Sequence, residues 1–188
     1  MKNSLMMLAN FLKNPKQTGS IAQSSKFLTR EIVKNVDFKS SNCIVELGPG
    51  IGTFTKAIIE KSNPDAKIVC FELNKAFCSH LNRNFKDKRL MVINAGADKI
   101  KENIRKFNIK EADCIISGLP FRNFPDKDMK KILKEIRDSL SYKGRFILFQ
   151  YTNNLSKMLK SHFVNVSRKF VPLNIPPAFV YICGKRLK

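Results

Sequence analysis

Val45-Glu46-Leu47-Gly48-Pro49-Gly50-Ile51-Gly52 is the stretch that decides the fold. An apolar run with strand character, Asn42 to Leu47, closes on Gly-Pro-Gly, and a helical pattern begins at once, from Gly52 to Lys61. Glycines let the backbone approach a ligand closely, and the start of a helix adds oriented N–H groups. Glu46 is an acid inside a buried strand, a costly placement unless it has a partner. Further on, Glu72 ends the next strand-like run, where a carboxylate can accept hydrogen bonds from ribose hydroxyls.

Outward from that turn, strand and helix patterns alternate. Upstream, a helix is expected from about Ser24 to Val36, with Phe27, Ile32 and Val33 facing inward. Downstream come a strand at Lys67 to Glu72, a helix at Asn74 to Phe85, a strand at Leu90 to Asn94 and a helix at Ala97 to Phe107. A strand at Ala112 to Ser117 leads into a loop, Gly118 to Pro125, and then a helix at Asp126 to Ser141. A fifth strand, Gly144 to Tyr151, precedes a short helix at Asn154 to His162. Two last strands, Phe163 to Pro172 and Ala178 to Cys183, are joined through Asn174-Ile175-Pro176-Pro177. Strands separated by helices make right-handed crossovers and a mostly parallel sheet. The last two strands have no helix between them, so one of them runs antiparallel. The expectation is an α/β fold with a seven-stranded sheet, one antiparallel strand and helices on both faces.

The chain has 188 residues, the size of one domain, with 43% hydrophobic and 27% charged residues. No apolar run reaches the roughly 18 residues that span a bilayer. Thirty-five Lys and Arg against fifteen Asp and Glu leave a net charge of +20. Such a balance attracts polyanions, either nucleic acid or an anionic membrane surface. The cysteines, Cys43, Cys70, Cys78, Cys114 and Cys183, are odd in number and form no C-x-x-C pair. They read as small buried hydrophobes in a reducing compartment, and no metal site is expected. Met1 to Phe11 lacks a signal-peptide cleavage pattern. Leu5, Leu8 and Leu12 share one face of a short helix that Pro15 stops. Residues 1–19 are therefore expected either to lie in a membrane interface or to pack on the domain formed by residues 20–188.

A dinucleotide-binding fingerprint, G-x-G-x-x-G, would place its third glycine at Thr53, whereas this chain has it at Gly52. The E-x-G-x-G pattern with its upstream acid resembles the class I S-adenosylmethionine-dependent methyltransferases. That resemblance implies a Rossmann-like fold and S-adenosylmethionine as the cofactor. Glu46 would balance the ammonium of its amino-acid end, and Glu72 would hold its ribose. After the third strand, related enzymes carry Gly-Asp-Ala; here the run is Asn94-Ala95-Gly96-Ala97-Asp98, so either Asp98 reaches back to the adenine or backbone near Ala97 holds it.

Several motifs together are similar to those of small bacterial phospholipid N-methyltransferases. They are Gly19-Ser20-Ile21 and Ser24-Ser25, V-E-L-G-P-G-I-G-T-F-T at 45–55, S-G-L-P at 117–120, F-Q-Y at 149–151 and N-I-P-P-A-F-V-Y at 174–181. The resemblance spans nearly the whole chain. It implies transfer of methyl groups to the amine of phosphatidylethanolamine, toward phosphatidylcholine, or of an ornithine lipid. The first motif is shared with the ribosomal RNA adenine dimethyltransferases, which makes RNA the alternative substrate. Those enzymes carry an extra C-terminal helical domain, for which this chain is expected to have no room. The resemblance also implies a cytoplasmic enzyme docked peripherally on the inner face of the cell membrane, through residues 1–19 and basic charge. Its partners would be an anionic membrane and an aminophospholipid, with no obligate protein partner.

By the same resemblance the cofactor touches Ser20, Ile21, Glu46, Gly48, Gly50, Gly52, Glu72, Leu73, Gly96, Ala97, Ser117 and Gly118. Gly118 stands where base-modifying enzymes place the Asn of an N-L-P-F/Y motif, so the side-chain acceptor for an adenine amine is missing. Phe121 either stacks on a cation or base or plugs the loop. Tyr151, at the carboxyl end of the fifth strand, is the candidate for orienting the amine or relaying its proton. Tyr181, in the late motif, would line the lipid pocket, and Arg122 or Lys and Arg residues nearby would pair with the lipid phosphate. His80 and His162 are read as surface or core residues.

Overall fold

The computed structural model describes residues 26–185, so the expected N-terminal helix, Ser20, Ile21, Ser24 and Ser25 lie outside the described residues. The elements are α1 (Lys26–Val33), β1 (Cys43–Leu47), α2 (Thr53–Lys61), β2 (Lys67–Phe71), α3 (Lys75–Asn84), β3 (Leu90–Ile93), α4 (Ile100–Arg105), β4 (Ala112–Ser117), α5 (Asp126–Ser139), β5 (Leu140–Gln150), α6 (Ser156–Lys160), β6 (Val164–Val171) and β7 (Ala178–Gly184). The strands form one sheet in the order β3-β2-β1-β4-β5-β7-β6. The first five run parallel. β7 is the antiparallel strand, between β5 and β6. The expected α/β sheet is borne out.

All five residues of β1 are buried, because helices cover both faces of the sheet. Alternation assigns the faces. Cys43, Val45 and Leu47 point into a core shared with Ile100 and Ile104 of α4, the apolar stripe of α5 and Leu159 of α6. Ile44 points the other way, onto Leu28 and Ile32 of α1 and Phe54 and Ile58 of α2.

One inward-facing residue and two boundaries differ from the expectation. Phe27 is 52% exposed, and Leu28 takes the inward place, because Leu28 and Ile32 are one helical turn apart on the buried face. The helix expected from Ala97 to Phe107 is broken into a 3-10 turn, Ala97–Lys99, and α4. The break presents the Lys101 N–H to Glu135 Oε1 of α5 at 2.8 Å. The helix expected to reach Ser141 stops at Ser139, because Leu140 is buried opposite Ala112 as the first residue of β5. Tyr142 and Lys143 then bulge outward before the ladder resumes at Arg145.

The strand order reverses between β1 and β4, which opens a crevice at their carboxyl ends. The antiparallel register brings the start of β7 to the same rim, with Phe179 opposite Gln150. At the other edge, Arg145 Nη1 donates to the Asn35 carbonyl at 3.2 Å. That contact puts the end of α1 away from the crevice and its start, Lys26, toward it.

Candidate active site

The crevice is built from backbone first. The Gly48 N–H donates to the Phe71 carbonyl at 2.9 Å, and the Gly118 N–H donates to the Leu47 carbonyl at 2.9 Å. These bonds tie the turn after β1 to the ends of β2 and β4. Gly48, Gly50 and Gly52 all have positive φ. Gly52 needs it most: at φ +91° a Cβ would also lie 2.4 Å from the Phe85 ring, which covers the turn. At Gly50 the space is open, with nothing within 4 Å of where a Cβ would stand. Gly118 is held by close approach, since its Cβ would stand 2.9 Å from the Gly48 carbonyl oxygen.

Glu72 is 2% exposed and bridges this backbone. Its Oε2 accepts from the Gly50 N–H at 3.2 Å, and its Oε1 accepts from the Asn74 N–H at 2.8 Å. Burial pushes its carboxyl above the usual range, against the pull of those N–H donors. Asn94 fixes the tip of β2 by donating to the carbonyls of Glu72 at 2.9 Å and Leu73 at 3.0 Å. Leu73 itself leans half-buried against the core.

Glu46 lies on the α2 side of β1, fully buried. Its Oε2 accepts from Thr55 Oγ1 at 2.6 Å and from Cys70 Sγ at 3.5 Å. Its Oε1 is buried without a hydrogen-bond partner among the described residues. Burial pushes its pKa up to about 7, while the Thr55 and Cys70 bonds oppose the rise. A buried carboxylate oxygen with a lone pair to spare, beneath a glycine turn with open space at Gly50, is an acceptor suited to a cation. S-adenosylmethionine, with its ammonium and ribose diol, fits the donor and acceptor set of Glu46, Glu72 and the turn.

On the far side, Gly96 and Ala97 are buried at the start of the 3-10 turn. Asp98 faces α5, where its Oδ2 accepts from Lys131 Nζ at 2.8 Å. Ser117 is fully buried, and its hydroxyl accepts from the Leu119 N–H at 3.1 Å, which shapes the S-G-L-P loop. Gln150 Nε2 donates to the Leu119 carbonyl at 3.0 Å and pins the same loop to β5.

The two tyrosines separate. Tyr151 is 36% exposed at the rim, edge-on to Phe149 at 5.7 Å, and burial raises its phenol pKa. Tyr181 is fully buried in the core beside Phe146 and Leu148, and its hydroxyl has no partner among the described residues. Expected to line the lipid pocket, Tyr181 instead faces the helix-covered core from β7. Phe121 is likewise buried, 6.2 Å from the Phe146 ring, as a plug of the loop is. Arg122 is exposed beside it. Asn94 and Gln150 stand in motifs singled out from the sequence, but their roles in pinning β2 and the S-G-L-P loop, and the cover that Phe85 gives the turn, were not foreseen. Outside the crevice, between α1 and α2, runs a groove of about 1010 Å³ that reaches Gly52 and is lined by Lys26, Arg30, Lys34, Lys56 and Lys61. All five cysteines are buried and unbridged.

A Rossmann-like sheet with this strand order, a glycine cradle and two buried carboxylates defines a class I S-adenosylmethionine-dependent methyltransferase. Solved structures share the fold. An N-methyltransferase, NodS of Bradyrhizobium japonicum, determined with S-adenosylhomocysteine, superposes with a TM-score of 0.72 at 10% identity, covering 98% of this chain and 100% of that one. The Burkholderia thailandensis 1,6-didemethyltoxoflavin-N1-methyltransferase superposes with a TM-score of 0.74 at 12% identity, covering 96% and 88%. The chain belongs to the family described as ribosomal RNA adenine dimethylase, whose model matches residues 9–168.

Within that family the curated relatives differ. The ornithine lipid N-methyltransferase of Singulisphaera acidiphila is 28% identical over 191 residues, covering 97% of this chain and 96% of that protein. The ribosomal RNA small subunit methyltransferase A of Borreliella burgdorferi is 27% identical over 178 residues, and the match spans 60% of its length. The Malacoplasma penetrans enzyme of the same name is 29% identical over 130 residues, spanning 45% of its length.

Proposed function

We propose that this methyltransferase acts on the primary amine of a membrane aminolipid, with an ornithine lipid favoured over phosphatidylethanolamine. The observation that carries the reading is the match running through nearly the full length of both this chain and the ornithine lipid enzyme. Gly118 supports it. A base amine conjugated with its ring benefits from a side-chain acceptor as its nitrogen becomes tetrahedral, and an aliphatic amine does not. The +20 charge and the family model favour RNA as the second reading.

The cofactor supplies an electrophilic methyl group on a sulfonium. Glu72 and the N–H groups of the turn position its ribose, and Glu46 balances its cationic end. The protein's work on the substrate is orientation and exclusion of water. The amine must be neutral to attack, and a positive environment lowers its pKa. Tyr151, whose raised pKa keeps it a neutral phenol, can accept from the amine N–H through its oxygen and fix the direction of attack. Arg122 would pair with the headgroup anion, a carboxylate in an ornithine lipid or a phosphate in phosphatidylethanolamine. Among the described residues no helix is long and apolar enough to cross a membrane. Access to the lipid is proposed to be peripheral, with residues 1–19 as one docking segment, at the inner face of the cell membrane.

The test is methyl transfer to ornithine lipid and to phosphatidylethanolamine in separate mixed micelles, with products resolved by mass spectrometry. Mono- to trimethylated ornithine lipid is expected. Methylation of phosphatidylethanolamine alone would shift the headgroup assignment, and methylation of neither would overturn it.

A further inference from the structure

The β6–β7 hairpin is built inside out at its tip. Between Val171 and Ala178, Pro172, Leu173, Ile175, Pro176 and Pro177 all face solvent, with Leu173 61% and Ile175 85% exposed. The one polar residue of the loop, Asn174, is 2% exposed. It faces inward and donates from Nδ2 to the Pro176 carbonyl at 2.6 Å. A loop made for water would show its polar residue and hide its apolar ones. Here the asparagine staples the turn so that the apolar side chains project. Phe170, 53% exposed, extends the apolar surface down β6.

Register fixes where this tip stands. β7 runs antiparallel to β5, with Phe179 opposite Gln150. The tip therefore rises from the rim that carries the S-G-L-P loop, Tyr151 and the glycine turn. Cations stand just behind it: Arg168 and Lys169 are exposed on β6, four and three residues before the tip. Arg168 lies over the Phe179 ring at 5.1 Å, and Lys169 Nζ is 3.5 Å from Glu31. An apolar point backed by basic residues, on a chain of net charge +20, matches an anionic bilayer, with acyl chains for the tip and headgroups for the cations.

We infer that the Pro172–Pro177 hairpin tip is a membrane-insertion element that seats the rim of the active site on an anionic lipid surface. The inference rests on the aminolipid reading and names the surface through which that site meets its substrate. Docked this way, the crevice opens onto the headgroup layer, and a lipid amine reaches Tyr151 without leaving the bilayer.

The chain contains no Trp, so Ile175→Trp gives a single reporter. The full chain is mixed with vesicles of phosphatidylglycerol and phosphatidylcholine, without aminolipid or methyl donor. The Trp emission is expected to shift to the blue and to be quenched by lipids brominated in the acyl chain. In parallel, Leu173→Asp/Ile175→Asp should weaken vesicle co-sedimentation about tenfold or more, as expected for keeping two aliphatic side chains out of an apolar phase. S-adenosylhomocysteine affinity and melting temperature should stay unchanged, since both residues are exposed. An emission that stays unshifted while the protein binds vesicles would overturn the inference. So would wild-type vesicle binding by the double variant, or a wild-type dimer that the double variant dissolves, which would make the tip a self-association surface. Because the vesicles hold no substrate, a tip that inserts in a protein that methylates only RNA would sink the aminolipid reading and leave this one standing.

Discussion

Replacing Glu46 by Gln separates its cost to folding from its use in binding. The carboxyl is fully buried and its pKa is pushed up from the ordinary 4.5 to about 7. The folded state therefore holds a proton that the unfolded state has released across that window. Stability is highest below about pH 4.5 as far as this group is concerned, and falls as pH rises toward 7. At roughly 1.4 kcal/mol for each tenfold change in the proton equilibrium, the loss is about 3 kcal/mol. Glutamine keeps an acceptor for the Thr55 hydroxyl and carries no charge. The variant should thus melt about 6–12 °C above wild type at pH 8 and close to it at pH 5, at roughly 2–4 °C per kcal/mol for a chain of this size. Its affinity for S-adenosylmethionine should fall, because the buried negative charge opposite the ammonium is gone. Melting curves by differential scanning fluorimetry from pH 5 to 8, with calorimetric titration of the cofactor, read both effects. Coincident pH–stability curves for the two proteins would refute the buried ionisation, and an unchanged affinity would refute the role in binding.

Glu72→Gln removes the charge proposed to receive the ribose and keeps an acceptor for only one of the Gly50 and Asn74 N–H groups; cofactor affinity should drop by about 2 kcal/mol in calorimetry, and melting should also fall as the amide Nε2 meets the other N–H. Gly118→Asn, which restores the base-modifying motif on paper, should instead cost about 1–3 kcal/mol of stability and weaken cofactor binding, because its Cβ meets the Gly48 carbonyl oxygen at 2.9 Å. A stable Gly118→Asn variant with wild-type affinity would show that the two turns have slack. Tyr151→Phe should lower kcat toward an aminolipid at unchanged cofactor affinity, read from steady-state rates and titration side by side.

What was legible in the sequence was what depends on neighbours in the chain. The glycine turn, Glu46 and Glu72 announced a cofactor crevice because strand, turn and helix start are contiguous, and the seven strands followed from their apolar runs. What stayed hidden depends on residues far apart in sequence. Nothing local says that Gly118 is a glycine because Gly48 approaches it, that Phe85 covers Gly52, or that Lys131 engages Asp98. Tyr181 drew a functional reading from its motif, yet the register opposite Leu148 buries it. Phe27 and Leu28 are both apolar, and only packing against the sheet chooses between them.

A single competition decides between a lipid amine and a base amine as the methyl acceptor. The protein is given methyl-labelled S-adenosylmethionine together with ornithine-lipid vesicles and unmethylated small-subunit ribosomal RNA, and the label is partitioned between chloroform and water. Label is expected in the chloroform phase, on the ornithine headgroup, with the RNA at background. Label carried into the aqueous phase on adenine, with unlabelled lipid, would contradict the aminolipid reading.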